Sequence, residues 1–123
     1  MLEIAAALCF GIGMVHSYLG ERFILIRLFK RGEVPHLFGS DYFTKGTLRF
    51  AWHITTIIAW GLGYLVFSVS RNVDNLAQVV LLTTGVVFSL SAVFAFAFTK
   101  GKHLSWIVFG LIAALVIYVG LSS

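Results

Sequence analysis

The stretch "KGTLRFAWHITTIIAW", Lys45–Trp60, begins with the mixed character of a membrane–water interface and ends as apolar as hydrocarbon. Arg49 and His53 stand one helical turn apart within it, and Lys45, Thr56 and Trp60 extend the same line at helical spacing. Two questions follow from this polar stripe: what kind of segment carries it, and what it faces.

Composition decides the kind of segment. The 123-residue chain is 59% hydrophobic and 11% charged, with a mean hydropathy of +0.96. A soluble domain of ordinary composition has about a quarter of its residues charged. The polar residues collect in short patches between four apolar stretches, at residues 4–22, 48–69, 76–98 and 104–121. At 1.5 Å of rise per residue, each is close to the length needed to cross a hydrocarbon core about 30 Å thick. Backbone polar groups in lipid must be satisfied within the segment, so each stretch is expected to be helical. The fold predicted is therefore all-α: a polytopic membrane protein with one domain over 1–123, its four transmembrane helices forming an antiparallel bundle. The first helix is expected to continue as a basic interfacial segment, "ERFILIRLFKR". The connections "SRNVDN" and "TKGKH" are short, which makes the second, third and fourth helices antiparallel neighbours.

The N-terminal stretch lacks a basic leader and carries Glu3 instead, so it reads as a retained helix rather than a secretory signal. Cys9 is the only cysteine, which excludes a disulfide framework. Phosphate-binding glycine loops, HExxH and paired metal-binding cysteines are all absent. The net charge of +4 is better explained by topology than by nucleic acid, because no soluble basic domain or nucleic-acid motif accompanies it.

Eight of the nine basic residues flank the first and third connections: Arg22, Arg27, Lys30, Arg31, Lys45, Arg49, Lys100 and Lys102. Only Arg71 lies in the second. The positive-inside rule then places the first and third connections in the cytoplasm and both termini outside, as in a bacterial inner membrane. Arg27, Lys30, Arg31 and Trp106 are expected at the headgroup level, where basic and aromatic residues anchor helices. Ser40, Asp41 and Thr44 are the candidate caps of the second helix.

With that orientation, His16 lies about 7–8 Å inside the cytoplasmic boundary and His53 about 5 Å inside, at helical rise. On the first helix His16 shares a face with Ala6, Cys9, Gly13 and Gly20, small residues that allow close helix approach. Gly85, Ser89 and Ala92 on the third helix, and Gly110, Ala113 and Ala114 on the fourth, form comparable small faces. An ionisable group in the membrane centre costs on the order of 2.5–3.5 kcal/mol on insertion scales and is by default a functional candidate. His16, Glu21, Arg22, Arg49, His53 and Thr56 form the candidate binding site on that basis. A purely structural pair of histidines would instead bond to Ser17, Thr55, Thr56 or a backbone carbonyl.

Three readings of function stay open on sequence. The first is an oligomeric ion or small-solute transporter or channel with its polar site at the cytoplasmic ends of the first two helices. The second is an accessory or assembly subunit of a larger membrane complex. The third is a membrane redox protein binding haem or quinone, with His16 and His53 as ligands of a b-type haem. The third and fourth helices carry no relay of buried charges, which argues against a long-range proton pump within one subunit.

Overall fold

A computed structural model describes Met1–Ser123 as four rods and no sheet. α1 runs Leu2–Arg31, α2 Tyr42–Ser70, α3 Leu76–Thr99 and α4 Ser105–Ser122. All four are long and apolar enough to cross a membrane, the makeup of a multi-pass membrane protein. α2 starts six residues before the apolar stretch read from sequence, because "YFTKGT" continues the helix through the interface.

α1 is α-helical over Leu2–Leu19 and Ile26–Arg31, with a π-helical insert at Gly20–Leu25. In the insert the Ile26 N–H reaches back five residues to the Glu21 carbonyl. This wider turn keeps the rod continuous while re-aiming the residues it contains, a device frequent at functional sites. The rod ends at Gly32, whose φ of 72° is the left-handed conformation that closes helices.

The start of α2 is fixed differently from the expected capping. Asp41 holds the N-cap position, but its carboxylate turns to Lys45, and that hydrogen bond holds the carboxyl below the usual carboxylate range. The Thr44 hydroxyl donates to the Pro35 carbonyl at 2.7 Å, and only Ser40 offers its oxygen to a backbone N–H, that of Tyr42 at 3.4 Å. At the opposite end, Asn75 caps α3 by accepting the Gln78 N–H at 3.0 Å. Thr99 closes the α3–α4 turn, donating to the Ala95 carbonyl and accepting the His103 N–H.

The helices pack in chain order, α1 on α2, α2 on α3 and α3 on α4. Each pair is antiparallel, since Ala6 and Cys9 meet Gly63 while Glu21 meets Arg49, Gly46 meets Phe98 while Gly61 meets Val87, and Gly85 meets Ile117 while Phe96 meets Trp106. α1 and α4 share no interface of comparable size, so the chain forms a row of neighbours where the sequence suggested a bundle. The small face of α1 is the α2-facing surface: Ala6, Gly13 and Gly20 are buried. On α4 the buried small residues are Ala113 and Gly120, whereas Gly110 and Ala114 of the expected face are not buried.

Without a hydrophobic driving force in lipid, such contacts depend on close packing. At Gly46 an added Cβ would collide with the backbone carbonyl of Phe98, whereas at Gly11 nothing lies within 4 Å. Gly46→Ala is expected to destabilise the detergent-solubilised protein by about 1–3 kcal/mol through overpacking, and Gly11→Ala to be silent. Thermal unfolding compares the two, and equal midpoints would show that α2 and α3 are not in contact as described.

Candidate functional site

The polar stripe of α2 faces α1, and each member from Arg49 onward finds a partner lower in number on the antiparallel helix. The Arg49 guanidinium donates through Nη2 and Nε to both oxygens of Glu21, at 2.6 and 3.1 Å. The other face of Arg49 lies 5.1 Å from the centre of the Phe29 ring. His53 Nε2 stands 3.2 Å from Glu21 Oε2, and its Nδ1 stands 2.8 Å from Ser17 Oγ. Ser17 Oγ is 2.7 Å from Thr56 Oγ1, and Thr56 donates to the Gly13 carbonyl at 3.0 Å. One turn deeper, Trp60 Nε1 donates to the Phe10 carbonyl at 3.1 Å. Lys45 stands apart, paired within its own helix with Asp41.

The geometry depends on glycines and on the π insert. A Cβ on Gly13 would come within 2.6 Å of the Trp60 indole nitrogen, and a Cβ on Gly20 would overlap the Trp52 ring outright. With hydrogen only at both positions, the two indoles come close to α1 and donate to the carbonyls of Phe10 and His16. Glu21 follows Gly20 inside the π insert, which brings its carboxylate to Arg49 and His53 together.

A second, smaller group lies beside the first. His16 stacks on Trp52 with ring centroids 4.7 Å apart and 3° between planes, and its Nε2 is 2.8 Å from Thr55 Oγ1. Glu21, Arg49, His53 and Thr56 of the expected site are therefore joined in one network, and His16 belongs to the adjoining Trp52–Thr55 group. Arg22 forms no ion pair. Arg27 lies over the Phe23 ring, Lys30 and Arg31 end the same rod, and Trp106 donates to the Gly101 carbonyl at the start of α4.

Arg49 and His53 are not loosely held. The side chains of Arg49 and Glu21 are about one-third exposed at 32% and 29%, and that of His53 is 16% exposed. On the α3 side, the rings of Phe94 and Phe98 stand 6.4 and 6.1 Å from the His53 ring and complete its surround. This is a bidentate, charge-assisted pair at the mouth of the helix seam, with an imidazole and two hydroxyls leading inward. Ser17, Trp52, Thr55 and Phe29 are neighbours of the candidate site outside the charge-based reading. Of these, Ser17 and Thr55 are the partners a structural histidine was expected to take.

A haem sandwiched between α1 and α2 does not fit this arrangement. Both ring nitrogens of His53 are engaged by Glu21 and Ser17, and His16 is bonded to Thr55. The helices touch directly at Gly13 and Gly20, which leaves no space for a macrocycle between them. No group of three or more His, Cys, Asp or Glu side chains is placed to hold a metal ion.

Lysine in place of Arg49 keeps the charge but loses the planar fork. Arg49→Lys is expected to lower stability by about 1 kcal/mol, and a double-mutant cycle with Glu21→Gln to give a coupling of similar size, between exposed and buried ion pairs. A silent Arg49→Lys, with zero coupling, would make Arg49 an interfacial anchor only. Comparison with protein-family models, with curated proteins and with solved structures finds no match for this chain.

Proposed function

We propose that this protein passes an ion or small solute across the membrane as an oligomer, with its polar site at the cytoplasmic ends of α1 and α2 and both termini external. The observation that carries this reading is the Arg49–Glu21–His53 cluster continued inward by Ser17 and Thr56. Ionisable residues within membrane helices are costly, and they commonly mark ion or proton pathways. A stripe needed only to hold two helices together would be cheaper in small residues, which α1 already supplies at Ala6, Gly13 and Gly20.

The polar path does not continue through α3 or α4, neither of which has a charged residue within its span. The remainder of a pathway would lie between copies, and the row of helices leaves apolar outer faces on α1 and α4 for such contacts. Those same faces favour the second reading, an accessory subunit of a larger membrane complex, with the polar seam serving only to fix α1 against α2. The orientation follows from the eight basic residues sharing one end. Reporter fusions after Ser123 are expected to report the external side, and a cytoplasmic C-terminus would invert the placement of the site.

Flux separates the two readings. Vesicles containing the purified protein and a trapped indicator for the ion tested are given imposed proton, sodium, potassium or chloride gradients. The wild type is expected to dissipate at least one of them, and Glu21→Gln and His53→Phe to reduce that flux at least tenfold while remaining folded. Wild-type vesicles as tight as empty ones to all four ions, together with co-purification of a larger complex, would replace transport with assembly.

A further inference from the structure

The hydrogen-bond chain between Glu21 and Gly13 has one more link than it has protons. Its ends can only accept: the Glu21 carboxylate, which already takes two Arg49 donors, and the Gly13 carbonyl. Between them stand His53, Ser17 and Thr56, joined by four contacts of 3.2, 2.8, 2.7 and 3.0 Å. Each contact at that distance requires one hydrogen. A neutral imidazole and two hydroxyls supply three.

The neutral chain must therefore leave two oxygens, or a nitrogen and an oxygen, facing each other without a proton. If Thr56 donates to Gly13 and Ser17 to Thr56, the single ring proton can serve Ser17 or Glu21 but not both. If the ring serves Glu21 and Ser17 serves the ring, Thr56 can serve Ser17 or the Gly13 carbonyl but not both. One added proton on the ring resolves every case: Nε2–H to Glu21, Nδ1–H to Ser17, Ser17 to Thr56, Thr56 to Gly13. In low-dielectric surroundings a fully satisfied chain is strongly favoured over a partly satisfied one.

We infer that the Glu21–His53 contact is a proton-binding site, at which the seam between α1 and α2 holds one proton beyond ionised glutamate and neutral imidazole. In binding, the lone pair of the unprotonated ring nitrogen takes a proton from hydronium, whose O–H bond breaks to leave water, and in release the N–H bond breaks and water takes the proton back. The proton belongs to the pair, and Arg49 biases it toward the ring by holding the carboxylate. The groups facing His53 are consistent with this. α1 contributes Glu21 and Ser17, and α2 itself contributes Arg49 and Thr56. α3 contributes the rings of Phe94 and Phe98 and has no titratable residue in its span. His16 is engaged by Thr55 and Trp52, and His103 by Phe43, Phe50 and Ser105. Arg49 and Glu21 offset one another, so the bound proton leaves the cluster with a single positive charge.

This names the ligand of the site discussed above and rests on that site being functional, but its test reads the proton itself, so it can fail independently of flux. The count also makes an unusual demand on neutral side chains. Removing either hydroxyl removes more links than protons: Thr56→Val leaves two contacts for two hydrogens, and Ser17→Ala does the same. Both variants then have a complete chain with a neutral ring.

The experiment is nitrogen-15 NMR of histidine-labelled protein in lipid bilayers at one fixed pH near neutrality, with His53→Phe identifying the His53 resonances. Wild-type His53 is expected to show both ring nitrogens protonated. In Thr56→Val and Ser17→Ala, the ratio of doubly to singly protonated ring is expected to fall about tenfold, the equivalent of one hydrogen bond. Trp52 and Trp60 fluorescence checks that the variants keep the α1–α2 seam. A singly protonated wild-type ring overturns the inference, and that result needs no variant. A doubly protonated ring unaffected by either hydroxyl deletion also overturns it, because the chain would not be what holds the proton.

Discussion

The structure depends on the seam between α1 and α2, where polar groups that lipid cannot satisfy are paired across two helices. An unpaired polar group in hydrocarbon costs several kcal/mol. Arg49, His53, Thr56 and Trp60 each escape that cost through an atom of α1 at the matching height: Glu21, Ser17, Gly13 and Phe10. The pairing fixes register as well as contact, since sliding α1 by one turn would take Glu21 and Ser17 away from Arg49 and His53. Small residues set the separation at which it works. Gly13 and Gly20 let two indoles lie against the α1 backbone, and Gly63 admits Cys9 and the Ala6 carbonyl further along.

From that seam outward the fold becomes less specific. α3 meets α2 at Gly46 and Gly61, and α4 meets α3 through Gly85, Gly120 and the bond from Gln78 to the Gly120 carbonyl at 2.8 Å. The interfaces are otherwise mostly apolar, with Thr83 and Ser91 buried among them, and large apolar side chains such as Leu111, Leu115 and Tyr118 remain exposed along α4. The chain is thus polarised, with its hydrogen-bonded information between the first two rods and its apolar surface spread across the last two. At the other end of α1, the Glu3–Arg71 pair at 3.5 Å is mostly exposed and contributes little.

The helices were legible in the sequence because hydropathy and length act locally, and the α1–α2 seam was half legible for the same reason. Ala6, Cys9, Gly13, His16 and Gly20 share a face at helical spacing, as do Arg49, His53, Thr56 and Trp60. Which residues pair between those faces was not legible, because it depends on the relative height of two helices joined by a long connection. That height puts Ser17, not His16, opposite His53, so the two histidines sit in adjoining groups. The π insert was hidden as well: "GERFIL" has ordinary helical composition, and only the tertiary demand of Arg49 and His53 on Glu21 singles it out. Trp52 was hidden for the same reason, since its contact with Gly20 depends on the relative height of the two helices. The row of helices was not legible, since short connections fix neighbours but not closure.

The central claim is that Glu21 and Arg49 join α1 to α2 as a bidentate pair within the folded chain. The most direct measurement is the dipolar coupling between the Glu21 carboxyl carbon and the Arg49 guanidinium nitrogens, recorded by solid-state NMR in lipid bilayers. A bidentate pair places these nuclei about 3.5 Å apart. Couplings to two guanidinium nitrogens at that distance are the predicted result. The absence of any coupling in protein that is folded and inserted would contradict the account, because the seam would then have a different register and the site built on it would not exist.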